Sequence, residues 1–114
     1  MISTALTPIP LLDGDWDNTL TPYGLQTGDV ADVYFCASTY GDYAEWYGEI
    51  IGRLTDGRYF AATGWCDTTG WGCRDDTTFE SWPDFDTFCH GLGDERRAKL
   101  GLGLDGLGSM VVTA

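Results

Sequence analysis

Hydrophobic and polar positions alternate most clearly between residues 31 and 66. Ala31-Asp-Val-Tyr-Phe-Cys-Ala-Ser-Thr39 is rich in β-formers. Period-two alternation places Val33, Phe35 and Ala37 on one face and Tyr34, Cys36 and Ser38 on the other. Tyr40-Gly-Asp-Tyr43 reads as a turn. Glu45 to Leu54 forms a second run. In it Trp46, Ile50 and Leu54 share one parity with Gly48 and Gly52, while Glu45, Tyr47, Glu49, Ile51 and Arg53 share the other. Asp56-Gly57 is a hairpin signal between two β-rich runs, and Arg58 to Cys66 supplies the third strand. These runs predict an antiparallel meander, with Thr77 to Trp82 as a short fourth strand.

Beyond residue 80 the period lengthens. Ser81-Trp-Pro-Asp84 predicts a helix start, with Ser81 as N-cap, Pro83 early in the first turn and Asp84 near the positive end of the dipole. Phe85, Phe88, Cys89 and Leu92 follow at helical spacing as one apolar stripe. Gly91 or Gly93 closes that helix, and Asp94 caps a second one through Leu100. Residues 101–114 are Gly/Leu-rich without a period and are expected to be partly disordered. Residues 1–30 carry Pro8, Pro10, Pro22, Gly14, Gly24 and Gly28. They predict an irregular segment packed on the domain through Ile9, Leu11, Leu12 and Trp16. The expected class is α+β: a three- to four-stranded antiparallel sheet with one or two short C-terminal helices on one face, its body spanning 31–100.

Composition supports a folded chain. At 114 residues one domain is the natural count, and 43% hydrophobic content with 14% aromatic residues is far from a disordered composition. No apolar run reaches the ~18–20 residues of a membrane span. Residues 1–12 show neither a basic n-region nor a long apolar h-region, so the expected location is the cytoplasm.

Charge sharpens the picture. Eighteen acids against six Lys/Arg give a formal net charge of −12 and a pI of about 4.1. Such a surface repels phosphate, so direct nucleic-acid binding and attachment to an anionic membrane are not expected. The first cation is Arg53, after eight acids, and residues 1–95 carry seventeen acids against three arginines. Arg96, Arg97 and Lys99 then sit together. The asymmetry has two explanations: general solubility, or a face shaped for a basic partner.

Few constellations carry chemistry. Cys66, Cys73, Cys89 and His90 together are enough to ligate zinc. Against that, the six residues between Cys66 and Cys73 exceed the two to four of a zinc knuckle, and Cys89 fits the apolar stripe as an ordinary buried thiol. A Cys66–Cys73 disulfide is geometrically conceivable across the loop, although a cytoplasmic setting opposes it. Cys89 and His90 point about 100° apart on a helix, so they do not make a nucleophile–base pair. Asp13, Asp15 and Asp17 begin like a calcium loop, but Asn18 stands where glycine is needed and Gly24 where glutamate is needed. Asp67, Asp75 and Asp76 fit a solvated rim better than a catalytic acid–base pair. Gly101-Leu-Gly103 follows a helix instead of opening one, so it is no dinucleotide fingerprint.

The aromatics matter more. Tyr40, Tyr43, Trp46, Tyr47, Trp65, Trp71 and Trp82 fall near turns that also hold Asp42, Glu45, Asp67, Asp75 and Asp76. Exposed rings among carboxylates suit arginine-rich partners. Trp71, between two glycines in a polar loop, is the ring expected to be most exposed.

The segment Trp46-Tyr-Gly-Glu-Ile-Ile-Gly-Arg-Leu-Thr-Asp-Gly-Arg-Tyr-Phe60, with Gly64-Trp-Cys-Asp-Thr-Thr-Gly-Trp-Gly-Cys73 and Asp94-Glu-Arg-Arg-Ala-Lys-Leu-Gly-Leu102, resembles small uncharacterised proteins of actinobacteria and their phages. The resemblance covers about half the chain and transfers no activity. What it implies is context: a small acidic protein of a phage or mobile element. Such proteins are often inhibitors of host defence, of the anti-CRISPR or anti-restriction type, acting as nucleic-acid mimics.

Two classes of function therefore stand. The first is a non-enzymatic inhibitor without a cofactor, whose Asp13, Asp15, Asp17, Asp42, Glu45, Glu49, Trp71, Asp75 and Asp76 occlude the basic surface of a nucleic-acid-binding host protein. The second is a Cys/His metal-binding module or small enzyme using Cys66, Cys73, Cys89 and His90. A phage structural part is a further alternative.

Overall fold

The structure, a computed structural model, describes residues 6–14, 16–41, 45–67, 74–104 and 110–112. A four-stranded antiparallel meander forms its body: β1 (Val30–Tyr40), β2 (Glu45–Leu54), β3 (Tyr59–Asp67) and β4 (Arg74–Trp82), in spatial order β1-β2-β3-β4. A short helix, α1 (Trp16–Leu20), precedes the sheet, followed by 3-10 turns at Thr21–Tyr23 and Thr27–Asp29. Two helices, α2 (Phe85–Leu92) and α3 (Asp94–Lys99), follow it. The chain is thus α+β as its pattern predicts.

The sheet separates two cores. On one face α2 and α3 bring Phe85, Phe88, Cys89, Leu92 and Leu100 onto Ile51 and Ala61. On the other, α1 brings Trp16 and Leu20 onto Trp46, Ile50, Leu54, Phe60 and Ala62. The parity of Trp46, Ile50 and Leu54 is therefore as expected. That of β1 is not. Val33 pairs with Gly52 and Phe35 with Ile51, leaving Tyr34 as the extra residue of a β-bulge. The bulge turns Tyr34 and Phe35 toward α2 and sends Val33 and Cys36 to the α1 face. Strict alternation from Val33 to Ala37 cannot survive one inserted residue.

The α1 face is closed by a chain of indole hydrogen bonds. Trp16 Nε1 donates to the Leu12 carbonyl at 2.7 Å, and Trp46 Nε1 to Ser38 Oγ at 2.8 Å. Ser38 Oγ in turn donates to the Asp13 carbonyl at 2.6 Å. The two indoles meet edge to face, with centroids 5.0 Å apart. They can do so because Gly48 presents only backbone: a Cβ there would overlap both rings. The first thirty residues thus include a helix and two tight turns, not irregular chain alone.

Other expectations shift at element ends. β4 begins at Arg74, three residues before the expected Thr77. Ser81 belongs to that strand, opposite Phe60, so it caps nothing. Asp84 is the N-cap of α2, accepting from the Thr87 amide at 2.8 Å and the Thr87 hydroxyl at 2.9 Å. Gly93 closes α2 at φ +86° and also precedes α3. In the tail, β5 (Leu102–Leu104) pairs with β6 (Met110–Val112), and Leu102 is buried in the α2 core.

The Thr87 amide bond holds the Asp84 carboxyl below its ordinary range, aided by the Thr87 hydroxyl. A depressed folded-state value stabilises the fold at pH above the unfolded value of about 3.9, and this contribution is lost as pH falls through the folded value. Asp84→Asn keeps the cap's acceptor but not its charge. Its stability deficit against the parent, from urea midpoints, is expected at pH 6 and to shrink at pH 3.

Candidate functional site

An antiparallel meander delivers its first and third connections to one end of the sheet. Here β1 ends at Tyr40, β2 begins at Glu45, β3 ends at Asp67 and β4 begins at Arg74. Across this end Thr39, Tyr47, Trp65 and Asp76 stand in register on the face that α2 covers elsewhere. The helices pack nearer the opposite end, against Ile51, Ala61, Tyr59 and Trp82. The loop end is therefore left open. Tyr40, Tyr47 and Trp65 are 64%, 47% and 37% exposed, while Trp46 is buried.

Tyr47, Trp65, Thr39 and Glu45 line a groove of about 210 Å³ there, bounded by the Tyr40–Gly41 strand end, while Tyr40 itself stands opposite the buried Trp46, with the parity of the α1 face. The Gly41 amide donates to the Glu45 carbonyl at 2.9 Å, which fixes the strand ends. The Glu45 carboxylate lies over Gly41, 2.9 Å from where a Cβ would stand. The Glu45 carboxylate therefore rests beside Gly41, and both line the groove.

The ion pairs decide where net charge remains. Each of the five cations with a described side chain is held by a carboxylate of the same chain: Arg53 by Asp32, Arg58 by Asp56, Arg96 by Glu80, Arg97 by Asp94 and Lys99 by Glu49. Arg97 is itself buried and also donates to the Cys89 carbonyl at 3.0 Å, which ties α3 to α2. A larger crevice of about 410 Å³ opens beside α3, but its Lys99 and Arg96 are engaged by Glu49 and Glu80. By contrast Asp13, Asp17, Asp29, Glu45, Asp76, Asp84 and Glu95 enter no ion pair among the described residues.

The sequence-predicted residues divide accordingly. Glu45 and Asp76 are exposed at the loop end, and Asp13 is exposed beside Ser38 on β1. Asp75 stands in β4 opposite Cys66. Asp17 is exposed but accepts from the Thr27 amide at 3.0 Å, tying a turn. Glu49 is turned against Lys99 at 2.7 Å with its side chain 12% exposed, so it presents no charge to a partner. Asp15, Asp42 and Trp71 lie outside the described residues, as does Cys73, and with it the Cys66–Cys73 pairing. Tyr47 and Trp65 belong to the site, although composition alone marks them only as part of an aromatic crowd.

No family model, curated protein or solved structure matches this chain.

The cysteine–histidine set is divided by the sheet. Cys66 packs with the α1 core and Cys89 with the α2 core, on opposite faces. A single tetrahedral ion cannot reach both. His90 sits on the exposed side of α2, with Nδ1 2.8 Å from the Asp86 carbonyl oxygen. Among the described residues no three His, Cys, Asp or Glu side chains gather as a metal site. Burial, with the Asp86 charge adding to it, pushes the Cys89 thiol up to about 11. Thiolate is the reactive form. Native protein at pH 8 should therefore leave Cys89 unmodified by iodoacetamide, while urea-unfolded protein gains one adduct there; peptide mass spectrometry reads the difference. Also among the described residues, no helix is long and apolar enough to cross a membrane.

Proposed function

We propose that this chain is a non-enzymatic inhibitor that docks the open, carboxylate-bearing end of its sheet on the basic surface of a nucleic-acid-binding protein. The supporting observation is the distribution of ion pairs. Every cation with a described side chain is neutralised inside the chain, so the charge left over among the described residues is that of carboxylates outside these pairs. Glu45 and Asp76 among them flank exposed aromatic rings at one end of a rigid sheet. Rings of this kind are enriched at protein interfaces, and uncompensated carboxylates can stand in for backbone phosphates.

With the resemblance to proteins of actinobacteria and their phages, the partner class is a host defence nuclease, and the effect is of the anti-CRISPR or anti-restriction type. The cytoplasm is where such a partner works. The test is a competition assay. Purified CRISPR and restriction nucleases of actinobacterial hosts are incubated with labelled DNA at 50 mM salt, and the chain is titrated in. Stoichiometric displacement of DNA from at least one enzyme is the expected result. Undisturbed DNA complexes across the panel, with no association by light scattering, would overturn the proposal.

A further inference from the structure

The groove at the loop end has the composition of a receptor for one arginine side chain. We infer that Tyr47, Trp65 and Glu45 form a guanidinium-binding site that anchors the basic partner; this rests on the function proposed above and names the chemistry of its contact.

Size narrows the occupant. Sites for drug-sized ligands measure about 300–1,000 Å³. At about 210 Å³, this groove suits a single long side chain. The lining narrows it further. Two aromatic side chains on its face, Tyr47 and Trp65, remain 47% and 37% exposed, and among the described residues Glu45 has no cation of its own. A cation over a ring face is attracted by the ring quadrupole. A planar guanidinium can stack on a ring while its N–H groups reach a carboxylate, which the strongly hydrated ammonium of lysine does less well. The Trp65 and Tyr47 backbones are directly paired across β2 and β3, so the rings stand on sheet, not on a loop. The site is in this sense preorganised, and binding does not have to order it. Glu45 is held at the strand start by the Gly41 amide bond to its carbonyl.

The probe is N-acetyl-arginine amide, with N-acetyl-citrulline amide as its neutral isostere. Both are titrated into the full chain while the indole N–H resonances are followed by NMR. The arginine derivative should shift the Trp65 resonance saturably, with a Kd on the order of 1 mM, as suits so small a ligand. Citrulline should leave it at least tenfold weaker. Glu45→Gln should weaken arginine binding about tenfold while preserving the remaining indole resonances, which report the fold. Tyr47→Ala, at the more exposed of the two groove rings and outside both cores, provides a second variant and should weaken binding severalfold. Equal binding of citrulline and arginine, or no change in Glu45→Gln, would overturn the inference. A chain that displaces DNA from a nuclease yet binds no guanidinium would sink the inference alone. A chain that binds guanidinium but associates with no nucleic-acid-binding protein would sink the proposed function alone.

Discussion

Phe88→Ala is expected to destabilise the fold by about 3–5 kcal/mol, the range for deleting a fully buried phenyl ring. Phe88 is 0% exposed. Its ring lies 4.9 Å from Tyr59 in a stacked arrangement, 5.6 Å from Trp82 edge to face, and 6.0 Å from Phe85. It is therefore the ring through which α2 grips the sheet. Domains are stable by only about 5–15 kcal/mol, so this loss removes a large share of the total. The melting temperature should fall by roughly 10–20 °C at this chain length. In urea the midpoint should drop while the slope is kept, since the same surface is exposed on unfolding. Tyr40→Ala is the control: its ring is 64% exposed, and its stability should stay within about 0.5 kcal/mol of the parent. A loss below about 1 kcal/mol for Phe88→Ala would mean that α2 does not dock as described.

The stripe that makes this prediction possible is legible directly. Phe85, Phe88, Cys89 and Leu92 fall at one helical period, and all four are buried. The hairpin signal at Asp56-Gly57 is legible too, but its register is not. A two-residue turn there would pair Thr55 with Arg58 and set Trp65 opposite Gly48 on the α1 face. Instead the loop has three residues, with Gly57 at φ +96° and the Leu54 amide bonded to the Arg58 carbonyl at 2.7 Å. Asp-Gly serves both turn types, because each needs a residue at positive φ. The third loop residue moves Trp65 opposite Tyr47 and onto the open face. The candidate site thus depends on one residue of loop length that the motif does not specify.

The same holds for the bulge at Tyr34. It is specified by contacts across the sheet: a Cβ at Gly52 would overlap the Asp32 carbonyl oxygen, so only glycine lets β1 approach there. Nothing within Ala31 to Thr39 marks it. Helix α1 is too short for a period to emerge; its one signal is the i, i+4 pair of Trp16 and Leu20, both buried. Charge is legible as a total but not as a surface. Glu49 and Asp76 look equivalent in sequence, yet Lys99 neutralises one, and no ion pair among the described residues holds the other.

That distinction sets the largest functional effect. Glu45→Lys with Asp76→Lys is expected to weaken binding to the basic partner by about 100-fold or more at 100 mM salt. Close opposite charges across interfaces are strongly coupled, and reversal replaces attraction with repulsion at two points. Net charge alone would also change, from −12 to −8, so a matched variant is required. Asp86→Lys with Glu95→Lys makes the same change on α2 and α3, outside the groove. That variant should lose less than about tenfold, mostly in association rate, because distant charges act through steering that salt screens. For the parent, affinity should fall as salt rises from about 50 to about 200 mM, because the ions screen the attraction between its carboxylates and the basic surface. The loop-end variant should show a shallower slope. Equal losses for the two variants would assign the effect to overall charge, and the acidity would then serve solubility and steering without defining a docking surface.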